Sequence, residues 1–102
     1  MLNFDMLAVG DAWPFSGSQA IVNVAAHEAD RLSIPHIIDT RFATGGSDHA
    51  SFINDGIPAM IFNCFCDANY HSAGDRFEFV SEERLAQAGA LGMATANALL
   101  AQ

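Results

Sequence analysis

The 102-residue sequence contains no lysine, and its four arginines face twelve acidic side chains, leaving a net charge of -8. A phosphate backbone or an anionic membrane surface would be repelled, which excludes nucleic acid and charged lipid as natural partners. Long apolar runs are also missing. Nothing approaches the roughly 18 to 20 consecutive apolar residues that cross a bilayer, so no membrane span is expected. The start, Met1-Leu2-Asn3-Phe4-Asp5, has neither the basic nor the apolar region of a signal peptide, and the chain reads as soluble. Cysteine is scarce: Cys64 and Cys66, one residue apart in an apolar stretch, match neither a disulfide framework nor the paired spacings of zinc sites. They are expected to fill a buried strand and its end.

What the chain does have is apolar residues, 51% against 16% charged, which excludes intrinsic disorder and implies many buried positions for one small domain. Residues 2–9 read as a strand, followed by a Gly10-Asp11 turn and a loop carrying Trp13-Pro14-Phe15. From Ser18 to Leu32, Ile21, Ala25, Ala29 and Leu32 recur at helical spacing. Residues 34–39 read as a short strand with Pro35 near its start, where a missing amide donor is tolerated. Ser47 or Asp48 can cap a short helix that runs to about Ile53 and stops at Asn54-Asp55-Gly56. Residues 58–64 are nearly continuously apolar, as in a strand buried on both faces. A polar and aromatic loop from Phe65 to about Val80 leads to a final helix. There Ser81 is the N-cap, Glu82 and Glu83 suit the positive helix end, and Leu85, Ala88, Gly92, Ala96 and Leu99 form one stripe. Strands alternating with helices define an α/β layer structure, with no internal repeat.

Several local motifs carry no chemistry. Ser47-Asp48-His49 has the residue types of a hydrolytic triad, but adjacent residues cannot form the relay. His27-Glu28-Ala29-Asp30-Arg31 begins like a two-histidine zinc helix yet ends in Arg31, which leaves His27 a surface residue. Gly45-Gly46-Ser47 lacks the lysine and the spacing of a phosphate loop. More informative are polar, metal-competent residues where strands end: Asp5, Asp48-His49, and Tyr70-His71 with Asp75. Groups at the carboxyl edge of an α/β sheet converge on one crevice. Spacing alone leaves Asp5 equally an ordinary strand-end carboxylate and His71 an ordinary loop histidine.

Four segments, in order, are Leu2-Asn3-Phe4-Asp5-Met6, Gly46-Ser47-Asp48-His49-Ala50-Ser51-Phe52, Gly56-Ile57-Pro58-Ala59 and Tyr70-His71-Ser72-Ala73-Gly74-Asp75. In this combination the chain resembles the C-terminal part of the co-catalytic dizinc aminopeptidases of metallopeptidase family 28, relatives of the glutaminyl cyclases and glutamate carboxypeptidases. The resemblance implies an incomplete three-layer αβα sandwich with a mainly parallel sheet, residues 1–102 forming the C-terminal portion of a zinc-peptidase catalytic domain. It implies Asp5 as ligand to one zinc and His71 as ligand to the other, with a peptide or N-terminal amino acid as substrate. Two zinc ions polarise a carbonyl and activate a bridging water. It also implies Tyr70 as a hydrogen-bond donor to the oxyanion, the alternative being a tyrosine packed at the loop base. Asp48, His49 and Asp75 correspond to polar positions that support the ligands.

The departures matter as much. The family takes its remaining ligands from a His-x-Asp pair and a Glu-Glu pair upstream of the position of Asp5, and this chain has neither. Glu82-Glu83 lies downstream and suits the helix dipole. With one protein ligand per zinc where a site uses at least three, the chain alone is expected to bind zinc weakly and to lack turnover. It is therefore expected to be a fragment of a zinc-dependent aminopeptidase-like hydrolase. The alternative is a non-catalytic remnant or interaction module that associates with itself. Missing strands and helices would expose an edge and apolar faces, which predicts a homo-oligomer. Cyclisation of N-terminal glutamine is a further possibility within the family that no residue here favours. The cellular location of the parent protein is left open, export included.

Overall fold

The computed structural model describes residues 1–10, 12–64 and 68–102. In chain order these form β1 (Leu2–Phe4), β2 (Pro14–Gly17), α1 (Gln19–Arg31), β3 (Ile37–Ile38), α2 (His49–Asn54), β4 (Met60–Phe62), a 3-10 turn (Phe77–Phe79) and α3 (Glu82–Leu100). One four-stranded sheet has the order β1-β4-β2-β3. β1 runs parallel to β4 and β3 parallel to β2, while β2 and β4 are antiparallel. The α/β class expected from the sequence is observed, as a mixed sheet whose central pairing is the antiparallel one.

That central pairing comes from residues the sequence pattern assigned to a loop. Pro14, Phe15, Ser16 and Gly17 carry turn-forming chemistry, yet Phe15, Ser16 and Gly17 pair with Phe62, Ile61 and Met60. Tertiary pairing overrides local propensity here. Gly17 makes it possible: at φ +139°, a Cβ would lie 2.4 Å from the carbonyl oxygen of Ala59. The turn expected before it includes Asp11, which lies outside the described residues, as do Phe65, Cys66 and Asp67 of the later loop.

The other strands are shorter than their apolar runs. β1 stops at Phe4 because Met6 adopts φ +60° and turns the chain out of the sheet. β4 keeps the expected two-sided burial, with Met60, Ile61 and Phe62 all at most 2% exposed. Phe62 stacks on Phe4 at 4.9 Å and meets the edge of Phe15 at 5.5 Å. Asn3, Ile61 and Ser16 stand opposite one another in register and so share the other face.

Helix α1 buries Ile21, Val22, Ala25 and Ala29 against the core, as the periodicity predicts, each larger aliphatic side chain adding about 1.5–3 kcal/mol. It ends in a left-handed Ser33 (φ +57°), with the amide of Ile34 bonded to the carbonyl of Ala29. Glycine usually fills that position. α3 begins as expected, the Ser81 hydroxyl accepting from the amide of Arg84 with Glu82 and Glu83 in the first turn. Its buried positions are Ala88, Leu91, Gly92 and Thr95. A Cβ on Gly92 would lie 2.7 Å from the Phe4 ring, so the small residue sets how closely helix and strand approach. No described helix is long and apolar enough to cross a membrane.

Candidate active site

Because β1 and β4 are parallel neighbours, their carboxyl ends open onto the same edge of the sheet. Asp5 is the first residue beyond β1, its amide donating to the carbonyl of Phe62 at the end of β4 (3.1 Å). The chain carrying Tyr70 and His71 departs from β4 at that edge. The two implied metal ligands thus belong to adjacent strand exits, although they are 66 positions apart in the chain.

The half-buried Asp5 carboxylate is held by a relay. Asn3, 7% exposed, donates from Nδ2 to Ser47 Oγ (2.8 Å), and Ser47 Oγ donates to Asp5 Oδ2 (2.7 Å). A serine hydroxyl can give one hydrogen bond and accept others, so it passes polarity from the buried amide to the carboxylate. Sequence reasoning placed supporting roles on Asp48, His49 and Asp75 and missed Ser47 and Asn3. Two signals were there to find them: a polar residue inside an apolar strand, and a hydroxyl immediately before Asp48-His49.

The structure puts Asp48 on the exposed N-cap of α2, with no side-chain cap bond. His49 is completely buried and turned to the carbonyl of Phe42, which accepts from Nε2 and leaves Nδ1 as a buried atom without a hydrogen bond. It anchors the glycine turn that carries Ser47. Asp75 is exposed and closes the far end of the His71 turn through its amide, bonded to the carbonyl of Ser72 (3.1 Å).

That turn is tight. The amide and hydroxyl of Ser72 both donate to the carbonyl of Asn69, at 3.1 and 2.8 Å, and Ser72 Oγ accepts from the amide of Gly74. His71 sits at φ +53°, with its imidazole tilted against the ring of Tyr70 at 3.8 Å. Tyr70 is half-exposed. Non-glycine residues with positive φ store strain and gather at functional sites. Among the described residues there are three, and two of them are Met6, next to Asp5, and His71.

Beside this edge opens a cavity of about 720 Å³, bordered by Val9, Gly10, Asn69, Phe79, Ser81 and Arg84. Arg84 is committed to structure: Nη2 donates to the carbonyl of Ala12 (2.7 Å) and to Cys64 Sγ (2.8 Å), and the guanidinium lies 4.5 Å above Trp13. Trp13 in turn donates to Gln87 (2.8 Å). Cys64 is buried, as expected, and burial raises its thiol pKa although Arg84 pulls the other way.

The sequence model of peptidase family M28 matches residues 1–96, nearly the whole chain. The chain belongs to peptidase family M28. Two solved structures share its fold. A zinc aminopeptidase from Bacillus subtilis superposes with a TM-score of 0.80 at 24% identity over 93% of this chain, and LapA aminopeptidase from Legionella pneumophila does so with 0.81 at 22% over 93%. The chain spans only 26% and 29% of those two proteins. No curated protein matches it.

Carboxylate and imidazole are suitable donors for zinc, but a zinc site ordinarily takes at least three protein ligands. Among the described residues, no three His, Cys, Asp or Glu side chains gather to hold a metal ion. Asp5 and His71 are donors of the right kind, and among the described residues neither is joined by the further donors that a zinc site takes.

Proposed function

We propose that residues 1–102 form the C-terminal portion of a zinc-dependent aminopeptidase-like hydrolase, and that the complete protein cleaves N-terminal peptide bonds with two zinc ions. The observation that carries this reading is the M28 match over residues 1–96, combined with a topology in which Asp5 and the Tyr70-His71 turn leave neighbouring parallel strands at one edge. Asp5 serves one metal and His71 the other, the remaining ligands coming from outside this chain. Ser47 and Asn3 fix the direction in which Asp5 presents its carboxylate, His49 anchors the turn that carries Ser47, the amide of Asp75 closes the turn that carries His71, and the exposed Asp48 is left to face the groups that complete the site. The half-exposed Tyr70 is free to turn its hydroxyl toward the oxygen of a substrate carbonyl, where a donor stabilises developing negative charge. When bound, the metals would supply an activated water.

Elemental analysis of the purified chain together with turnover of an aminoacyl-nitroanilide tests this. Sub-stoichiometric zinc, weakened further in Asp5→Ala and His71→Ala, with no turnover, is the expected result. Two tightly held zinc ions, with turnover lost on chelation and restored by zinc, would contradict the division of ligands. A second reading is a non-catalytic module that associates with itself; among the described residues β1 stands at the end of the sheet, with an apolar surface beside it.

A further inference from the structure

The stretch that leads into Ser47 is Thr44-Gly45-Gly46, whose two glycines give the backbone little stiffness of its own. Two contacts supply it. His49 Nε2 donates to the carbonyl of Phe42, closing residues 42–49 into a loop, and the ring of Phe42 lies against Gly46. Gly46 is at φ +87°, where a Cβ would overlap that ring, whereas a Cβ on Gly45 would meet nothing within 4 Å. The start of this loop is in turn tied to the sheet. The amide of Asp39 donates to the carbonyl of Phe15 (2.9 Å), the Ser16 hydroxyl donates to the carbonyl of Asp39, and the Asp39 carboxylate accepts from the amide of Arg41 (2.9 Å). A continuous path therefore runs from β2, through Asp39 and Phe42, to Ser47 and the Asp5 carboxylate beyond β1.

We infer that Phe42 and His49 are positioning residues for Asp5, clamping the 42–49 loop so that the Ser47 hydroxyl meets the carboxylate. The choice of histidine supports this. His49 is completely buried, yet only one of its two ring nitrogens has a hydrogen bond. A phenyl or aliphatic side chain would fill the same space without leaving a buried nitrogen unsatisfied. What the histidine adds over such a residue is the single donor on Phe42. A bond that closes a loop restricts the conformations open to it, and a loop containing adjacent glycines has the most freedom to lose. Ser47 lies inside the closed segment, between the glycine that meets the Phe42 ring and the histidine that holds the Phe42 carbonyl. Both contacts therefore bear on the position of its hydroxyl. The benefit to a metal ligand rests on the function proposed above, whereas the hold on Ser47 is a property of the metal-free chain.

NMR of the metal-free chain tests the proposal at the side-chain amide of Asn3, whose bond to Ser47 reports where that hydroxyl stands. His49→Phe keeps a ring in the buried site and removes the donor. In that variant the Asn3 amide is expected to exchange with solvent roughly tenfold faster, as in Ser47→Ala, with no further gain when the two are combined. His49→Gln returns an amide donor and is expected to bring exchange back to within about twofold of the original rate. Gly46→Ala acts on the clamp from the Phe42 side without touching the buried histidine and is expected to reproduce the acceleration, while Gly45→Ala, in open space, is not. Exchange at the original rate in both His49→Phe and Gly46→Ala would overturn the proposal. So would a glutamine that fails to restore it, or effects of His49→Phe and Ser47→Ala that multiply in the double variant. None of these outcomes bears on the proposed hydrolysis, and a complete protein that bound no zinc would defeat that reading while leaving the clamp in place.

Discussion

Ser47 donates its hydroxyl proton to Asp5 across 2.7 Å, while accepting one from the buried amide of Asn3. This couples the glycine turn before α2 to the residue that ends β1. Ser47→Ala removes the shared atom and strands the Asn3 donor where water has little access. Loss of a bond to a charged group, with a buried donor left over, is expected to cost about 1–3 kcal/mol, measured as a lower midpoint in urea. An unchanged midpoint would show that Asp5 is held by something else.

Glycine substitutions should separate strain from propensity. Gly17→Ala puts a methyl group onto the backbone of β4 at a φ that alanine avoids, so it is expected to destabilise by roughly 2–5 kcal/mol. Gly89→Ala meets nothing within 4 Å inside α3 and is expected to stabilise by about 0.5–1 kcal/mol, read at low concentration. Equal effects of the two would mean that the β2–β4 pairing is not built as described.

The Cys64 thiol gives a pH dependence. Burial raises its pKa in the folded state, with Arg84 opposing, so the folded chain holds the proton more firmly than the unfolded one. The stabilisation is complete below the unfolded value, about 8.5, and is lost as pH climbs through the raised folded value. Urea midpoints measured from pH 7 to pH 10 should therefore hold steady and then fall. In the native state Cys64 should react slowly with a disulfide reagent and become reactive on unfolding. Rapid native labelling of Cys64 would contradict its burial.

How much of this was written in the sequence depends on whether a feature is local. The periodicity of Ile21, Ala25 and Ala29, the Ser81 cap and the two-faced burial of residues 60–62 depend on neighbours in the chain, and all were readable. β2 was not, because Pro14, Ser16 and Gly17 become a strand only when β4 lies beside them. The site divides the same way. Asp5, Tyr70 and His71 stood out through family resemblance and residue type. The Asn3-Ser47-Asp5 relay joins positions 42 and 44 apart and needed the fold. Asp48 and His49 were named as supports because they belong to the matching segment, whereas the bond to Asp5 comes from the residue before them.

The account rests most heavily on Asp5 and the His71 turn sharing one edge of the sheet. Nitroxide labels on Asp5→Cys and His71→Cys, in a Cys66→Ser background where buried Cys64 stays unlabelled, allow that separation to be measured by electron paramagnetic resonance. The expected distance is below 18 Å, the shortest dimension of the molecule. A separation near its 30 or 41 Å dimensions would contradict a shared metal-binding edge.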